Sequence, residues 1–377
     1  MNLEFTEEQV LLQDTLNRFL QNDYTFEQRQ KLSQQGIGYS EQNWQTMAEM
    51  GLLGIPFEEE YGGFDFGATG LMIVMETIGK GLVVEPYLAT VVLAGQLIQN
   101  ASSEAQKQTL LPQLIEGNLK LAFAYVERQS RYDLSSVTVT AEKHASSFSL
   151  TGKKSVVFNA ETADKIIVSA RTSGNDGDKE GISLFLLDKD STGITMRHYH
   201  TVDGLRASEL SFEQVEIGLD ALVGELDNAF PVIESVIDSA SAAICAEGVG
   251  VISQLRERTV EYLKIRKQFS QPLGHFQVLQ HRAVDMFMAE EQMRSLAYLA
   301  SIRMEGGTRS EQIKAVSAAK VYLGEARTVV GEQAVQLHGG IGVTDELDVA
   351  HYYKRLTMLN NLFGDRDFHL QRFSQSE

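Results

Sequence analysis

The middle of the chain has a different pattern of apolar residues from the regions on either side of it. Between about Leu121 and Gly224 the apolar segments are short and β-branched, as in "KIIVSAR" and "ISLFLLD", and turn-forming clusters such as "TSGNDGDKEG" separate them. Before and after this region, apolar residues recur at the spacing of amphipathic helices. The order of helices, strands and helices predicts an α+β fold.

The changes in this pattern predict three domains. Residues 1–120 are expected to form an N-terminal α-helical domain, 121–224 a central small β-barrel or sheet domain, and 225–377 a C-terminal four-helix bundle. The first helix is expected to begin at Thr6, where a threonine and acidic residues precede the apolar period. The C-terminal helices have the two-sided apolar patterns of a bundle.

Composition limits the functions that this chain can have. Its 377 residues are 43% hydrophobic, as in soluble globular proteins, and its formal net charge of −18 argues against binding to a nucleic-acid backbone. The single cysteine, Cys245, excludes a cysteine-rich metal site, and its alanine neighbours favour a buried apolar role. No signal peptide and no apolar stretch near the roughly 18 residues of a membrane span is visible, so a cytoplasmic location is expected.

Three glycines interrupt an otherwise helical segment near the end of the chain, in "QAVQLHGGIGVTDELDVAHYYKRL". Glycine inside a helix costs about 1 kcal/mol relative to alanine. Either the helix ends here with a glycine cap, or a ligand must approach the backbone closely. A Rossmann dinucleotide fingerprint is rejected, because no strand precedes the glycines.

A second candidate motif is "EYLKIRKQFSQPLGHFQVLQ". Three cations, Lys264, Arg266 and Lys267, cluster at the end of a predicted helix, and Phe269 and a turn follow. The cations either favour the C-terminal end of the helix dipole or include an arginine that binds a pyrophosphate. The spacing alone leaves both interpretations open.

Together the two motifs resemble the C-terminal signature of the acyl-CoA dehydrogenase family. Further segments occur in family order, namely "EEEYGG", "AQKQTLLPQLIEG", "TGKKSVVFNAETADKIIV" and "DGLRASELSFEQVEI". Phrases such as "EPYLATVVLAG" and "KRLTMLNNLFGDRDFHL" most resemble the small subunit of pimeloyl-CoA dehydrogenase and related bacterial paralogues. The resemblance implies FAD as cofactor, in a homo-oligomer or in a heterotetramer with a related subunit.

The resemblance also implies which residues bind the cofactor. The positions carried over are Arg266, Phe269, Gln277, Gln336, Gly339, Gly340, Val126 and Phe158. The first three belong to the basic motif: Arg266 and Phe269 would contact the pyrophosphate and adenine end, and Gln277 would match the glutamine of that motif. The next three would line the diphosphate and ribose of FAD bound to a partner chain. The last two stand where the family contacts and covers the isoalloxazine ring.

The family's reaction is the α,β-dehydrogenation of an acyl-CoA thioester, in which a carboxylate removes the α-proton and a β-hydride passes to flavin N5. Counting back from "LQRF" puts Asp365 at the position of the base, whereas counting forward from the glycines puts Phe363 there. Asp365 is alternatively a turn residue that caps a helix or pairs with Arg366. Other family members carry the base on the long bundle helix; the aligned residue here is Ala240, and Glu247 lies two turns further on. Glu247 is alternatively a buried structural acid paired with an arginine.

Two arginines, Arg128 and Arg131 in "VERQSRYDLSS", are extra charges beside the position of the acyl-CoA entrance. They either bind a CoA phosphate or the distal carboxylate of a dicarboxylyl chain, or are ordinary surface charge. A medium or long acyl-CoA is the expected substrate, with an electron-transfer flavoprotein as electron acceptor. Two functions stay open, an active dehydrogenase and a silent structural subunit that helps to bind FAD while a paralogous partner supplies the base.

Overall fold

The computed structural model describes residues 6–34 and 36–376. Its α-helices are α1 (Glu7–Asp23), α2 (Phe26–Gln34), α3 (Glu41–Glu49), α4 (Gly67–Gly81), α5 (Gln96–Ala101), α6 (Glu104–Ile115), α7 (Phe230–Ile265), α8 (Gln277–Gly306), α9 (Arg309–Ala326), α10 (Gln333–His338), α11 (Asp348–Asn361) and α12 (Arg366–Gln375). The strands are β1 (Leu121–Ala124), β2 (Thr140–Lys143), β3 (Ser147–Phe158), β4 (Lys165–Arg171), β5 (Ile182–Asp188), β6 (Ile194–His200), β7 (Arg206–Gly218), β8 (Leu222–Val223), β9 (Lys267–Gln268) and β10 (Gln271–Pro272). Two π-helical segments, Leu88–Gly95 and Arg327–Glu332, continue directly into α5 and α10.

Helix α1 begins where the sequence predicts it. The Thr6 side chain accepts a hydrogen bond from the Gln9 backbone N–H at 3.2 Å, and the Gln9 side chain accepts one from the Thr6 N–H at 3.0 Å. Helices α6 and α9 begin with the same reciprocal capping arrangement at Ser103 and Thr308. These side chains satisfy N–H groups that have no partner inside a helix.

The predicted β region forms an eight-stranded sheet within the described chain. Seven of its strands follow the order β6-β7-β3-β2-β4-β5-β8, and β1 lies off this path. Strands β4 and β5 have the bounds of the segments "KIIVSAR" and "ISLFLLD", and β3 and β7 form a long antiparallel pair. Strand β1, which pairs with β4 in parallel, was not predicted from the sequence. Its four residues "LAFA" are all buried, so they lack the alternation that identifies a half-exposed strand.

Packing divides the described chain into two compact units. The bundle unit comprises residues up to Lys31, Ala68–Val83 and the chain from Ser241 onward. The sheet unit comprises Leu32–Gly67 and Val84–Ala240. The predicted α+β class with helical, β and helical regions in that order is confirmed, whereas the boundaries after residues 120 and 224 stay a prediction.

Helix α7 is the longest element, with 36 residues. Contrary to the sequence-based expectation, its length and apolar composition are sufficient to cross a membrane. However, 89% of its most apolar window is buried inside the structure, as in the core helix of a globular protein.

Glycines let α4 and α7 approach closely. A Cβ at Gly250 would lie 2.0 Å from the Glu76 carbonyl oxygen, and one at Gly79 would lie 2.1 Å from that of Glu247.

Candidate active site

The fold requires glycine at two of the three glycine positions after α10. Gly339 has φ +68° and ψ −147°, a conformation that essentially only glycine adopts. A Cβ at Gly342 would lie 2.8 Å from the Val335 carbonyl oxygen. A Cβ at Gly340 would meet nothing within 4 Å. Helix termination and packing therefore account for the outer two glycines, while the backbone at Gly340 is open to a ligand or a second chain.

The basic motif forms the end of α7 and the hairpin of β9 and β10. Its two-residue turn consists of Phe269 and Ser270, with φ +53° and +66°. Positive φ at both turn positions is the pattern of a type I′ turn, which Asn-Gly adopts more readily than Phe-Ser. The Phe269 side chain is 86% exposed. A large aromatic ring held at a strained turn and left exposed indicates a surface that a ligand or another chain covers.

The cations of this motif are available to an anion. Lys264, Arg266 and Lys267 are exposed, and none of them has a carboxylate partner within the part of the chain that the structure describes. On a protein with a formal charge of −18 they form a local positive site. The same helix end lies beside the glycine turn of its own chain, because the Tyr262 and His338 rings pack with centroids 4.4 Å apart.

The two predicted glutamines lie in helices α8 and α10, which contact each other. Gln277 is the first residue of α8, and Gln336 lies in α10. Arg282 in α8 donates a hydrogen bond to the Gln333 side chain at 3.0 Å, which ties α8 to α10. Unpaired cations, amide side chains, an exposed aromatic ring and a bare backbone at Gly340 are the chemical groups that a dinucleotide with a pyrophosphate needs. The residues present therefore fit FAD.

The predicted flavin-contacting residues of the sheet unit come from adjacent segments. The Ser155 N–H donates to the Val126 carbonyl oxygen at 2.8 Å, which places Val126 beside the segment that ends at Phe158. Val156, which lies between Ser155 and Phe158 in the sequence, has φ +53° at a bulge that interrupts the pairing of β3 with β7. A β-branched residue in the left-handed region is strained, and such outliers cluster at functional sites.

Arg128 and Arg131 are exposed on the loop after β1, and Arg131 has φ +48°. The loop is anchored by Glu127, whose carboxylate accepts two backbone N–H groups at 2.9 and 3.1 Å and the Lys154 ammonium at 2.7 Å. Burial opposes ionisation of Glu127, but the Lys154 charge and hydrogen bonds from the side chains of Lys154, Thr138 and Gln129 prevail and lower its pKa to about 2. Glu127 thus fixes the base of the loop on which both arginines stand.

Glu247 lies in a buried ion pair. Its two carboxylate oxygens accept hydrogen bonds from Nε and Nη2 of Arg355 at 2.5 and 2.8 Å, and the two side chains are 2% and 8% exposed. This is the arrangement expected of a structural acid. Ala240, the aligned position on the same helix, is fully buried and has no group that could accept a proton.

Asp365 caps α12. Its Oδ1 accepts a hydrogen bond from the Phe368 N–H at 2.9 Å, whereas Oδ2 has no hydrogen-bond partner among the residues described. The alternative pairing with Arg366 is absent, because Arg366 lies 3.0 Å from Glu325. Phe363, the other candidate position, is apolar and adopts φ +59° in the turn before the cap. One oxygen of Asp365 is therefore fixed and the other is free.

Two buried side chains next to this loop were not predicted from the sequence. Lys320 in α9 is 0% exposed and donates hydrogen bonds to three backbone carbonyls at the end of α11. His369 in α12 is 1% exposed and contacts the Phe363 carbonyl oxygen at 3.1 Å. The available signal was the position of Lys320 among small apolar residues in "AVSAAKVYL", which favours a buried face.

Comparison with known proteins identifies the family. The acyl-CoA dehydrogenase N-terminal, middle and C-terminal domain families match residues 6–118, 122–215 and 229–376. The probable acyl-CoA dehydrogenase YngJ of Bacillus subtilis is 28% identical over 377 residues, which cover 99% of this chain and 98% of that protein.

Two further proteins are similar over most of their length. The mitochondrial isovaleryl-CoA dehydrogenase of Solanum tuberosum is 31% identical over 319 residues, 82% of this chain and 76% of that protein. The solved structure of the Tcur3481–Tcur3483 steroid ACAD has a TM-score of 0.87 at 28% identity and covers 98% of this chain and 97% of its own. The chain therefore belongs to the acyl-CoA dehydrogenase family of FAD-dependent oxidoreductases, which confirms the enzyme class and the cofactor that the resemblance predicted.

Proposed function

We propose that this chain dehydrogenates an acyl-CoA thioester and that Asp365 accepts the α-proton. The observation that carries this proposal is the geometry of the carboxylate, with one oxygen held by the helix cap and the other without a hydrogen-bond partner in the described chain. Bound FAD would supply N5 as acceptor for the hydride, with its two electrons, that leaves the β-carbon. The α-proton would go to Asp365, and the electron pair of its C–H bond would form the double bond between the two carbons.

The cofactor-binding roles follow from the groups already described. Arg266 and its neighbouring cations would hold the pyrophosphate, with Phe269 and Gln277 near the adenine end. Gln336, Gly339 and Gly340 would line the FAD of a partner subunit. Support for this comes from Gly340, since the described chain places nothing within 4 Å of a Cβ there. Val126 and Phe158 would lie against the flavin ring.

The substrate proposal is a medium or long acyl-CoA, including a dicarboxylyl chain. Arg128 and Arg131 would contact a CoA phosphate or the distal carboxylate, because guanidinium groups form paired hydrogen bonds with both. The resemblance to the pimeloyl-CoA dehydrogenase small subunit supports the dicarboxylyl class. An electron-transfer flavoprotein in the cytoplasm would accept the electrons, since one cysteine cannot hold an iron–sulfur cluster.

A second candidate function is a catalytically silent subunit that helps to bind FAD in a heterotetramer. A specific observation favours it, because Arg355 occupies both oxygens of Glu247 and the Asp365 carboxylate has a structural task as a cap. The Tcur3481–Tcur3483 steroid ACAD bears the names of two chains, which supports an assembly of this kind. In that case a paralogous partner supplies the base.

Asparagine at position 365 separates the two functions. Its side-chain oxygen can still accept the Phe368 N–H, because asparagine and aspartate are equally good caps, but it cannot take up a proton. In anaerobic mixing with octanoyl-CoA, Asp365→Asn should slow the loss of visible flavin absorption by about 100-fold or more while FAD stays bound. Asp367→Asn, two residues further along α12 and exposed, is the matched control and should react like the wild type.

The outcomes distinguish the candidates. An unchanged rate in Asp365→Asn would exclude Asp365 as the base. Wild-type protein that contains FAD, does not react with octanoyl-CoA, and gains activity with a co-expressed paralogue would support the silent subunit instead.

A further inference from the structure

The buried lysine of α9 is the most unusual charge in the bundle unit. Lys320 is 0% exposed, and its ammonium donates to the carbonyl oxygens of Leu359, Asn360 and Leu362 at 2.7, 3.1 and 2.7 Å. No carboxylate lies within 4.0 Å of it in residues 6–34 and 36–376. Burial lowers the pKa of Lys320 to about 8, and Cys245 and, to a smaller extent, Asp365 oppose this effect. A buried cation without a carboxylate partner destabilises the folded state unless hydrogen bonds compensate for the lost water, and the three carbonyls provide that compensation.

The three carbonyls end helix α11 and begin the loop that leads to Asp365. Carbonyls at a helix C-terminus have no partner inside the helix and carry the negative end of its dipole, which is where a cation is favourable. His369 holds the next carbonyl, because its Nε2 lies 3.1 Å from the oxygen of Phe363 and a carbonyl can only accept. We call Lys320 and His369 the carbonyl clamp.

The clamped segment is a tight turn. Phe363 has φ +59° and Gly364 φ +119°, and a Cβ at Gly364 would lie 2.4 Å from the Phe368 ring. Asp365 follows directly and caps α12. Because backbone geometry on both sides of Asp365 is held, its carboxylate has little freedom to move with the loop.

We propose that the carbonyl clamp positions Asp365, so that its free oxygen stays where the α-carbon of the thioester binds. Lys320 and His369 are positioning residues that touch neither substrate nor cofactor. The inference rests on the proposed function, since it requires Asp365 to be the proton acceptor. It adds that α9 and α12 supply the rigidity that an aspartate, one methylene shorter than a glutamate, needs at this place.

Two variants separate position from charge. Lys320→Met removes a charge together with its hydrogen bonds, whereas His369→Leu removes a hydrogen bond to the same segment and no charge. Loss of position slows the reaction, because a displacement of about 1 Å in a reacting group costs on the order of 100-fold in rate. A slower reaction in both variants therefore reports lost position and not lost charge.

The experiment compares Lys320→Met, His369→Leu and the control Lys314→Met, which lies in the same helix and is partly exposed. Burial and the Lys320 charge lower the pKa of His369 to about 3, so it is neutral during the assay and its replacement removes a hydrogen bond but no charge. Each FAD-containing protein is mixed anaerobically with octanoyl-CoA and with octanoyl-CoA deuterated at the α-carbon. The flavin reduction rate constant, its isotope effect, the FAD content and the octanoyl-CoA dissociation constant are measured.

We expect both clamp variants to reduce flavin about 10- to 100-fold more slowly, with a larger α-deuterium isotope effect and unchanged substrate affinity. Lys314→Met should match the wild type. If Lys320→Met does not fold, His369→Leu alone decides. Rates at or above wild type in the folded clamp variants, with Asp365→Asn inactive, would overturn this inference and leave the proposed function intact. An inactive wild type, or an active Asp365→Asn, would overturn both.

Discussion

Replacing Glu247 by glutamine should weaken the bundle unit without removing a base. Both carboxylate oxygens bind the Arg355 guanidinium, at 2.5 and 2.8 Å, and the side chains are 2% and 8% exposed. Glutamine keeps one acceptor and leaves the guanidinium charge buried without a counter-ion, which typically costs about 3–5 kcal/mol. A free-energy change of about 1.4 kcal/mol changes an equilibrium constant about tenfold. A cost of about 3 kcal/mol therefore makes hydrogen exchange roughly 100-fold faster at backbone amides that exchange only when the bundle unit opens.

Hydrogen exchange of the amides of α7 around Glu247 measures this effect without assuming that the whole chain unfolds in one step. Glu257→Gln is the matched control on the same helix, because Glu257 is 48% exposed and lies 3.6 Å from Arg256, and exposed pairs contribute about 1 kcal/mol or less. Exchange rates in Glu247→Gln within about fivefold of wild type would show that the Glu247–Arg355 ion pair does not stabilise the bundle unit as expected. Full protection combined with lost flavin reduction would make Glu247 the base.

Three further predictions concern single residues. In thermal unfolding, Gly250→Ala should lower stability by about 3 kcal/mol or more, because its Cβ would lie 2.0 Å from a carbonyl oxygen of α4. The control Gly306→Ala has nothing within 4 Å of its Cβ and should be neutral or stabilising by up to about 1 kcal/mol. Gly340→Val should leave the melting temperature of the FAD-free protein unchanged and reduce its FAD content on reconstitution. The pKa of Glu127 is lowered from 4.5 to about 2, so its contribution to stability is complete above pH 4.5 and is lost as the pH falls towards 2; Glu127→Gln should remove this part of the acid dependence in circular dichroism.

Local pattern was sufficient to predict most of the elements. Strand β3 begins with alternating apolar residues, β4 is rich in β-branched residues and β5 is a short apolar run. The Thr6 cap is complete within four residues. The π-helical segments Leu88–Gly95 and Arg327–Glu332 were not predicted, because their residues are ordinary helix formers and the extra residue per turn depends on packing with other elements. The turn at Phe269 and Ser270 was also missed, since neither residue favours positive φ.

The sequence predicted which residues belong to the candidate site but not what their side chains bind. Resemblance identified Glu247 and Asp365, yet the partner of Glu247 is Arg355, 108 residues away in the sequence. Lys320 binds carbonyls 39 to 42 residues away. A pairing over such distances depends on which faces of α7, α9 and α11 meet, and that information is not present in any local pattern. The cofactor and substrate roles of the individual residues stay predictions until they are tested.

The visible absorption spectrum of the purified wild-type chain, before and after anaerobic addition of octanoyl-CoA, shows whether the chain binds FAD and dehydrogenates an acyl-CoA. We expect a yellow protein with bound FAD, whose flavin absorption disappears when the acyl-CoA is added. A colourless protein that free FAD does not reconstitute, in the presence or absence of a paralogous subunit, would contradict this expectation.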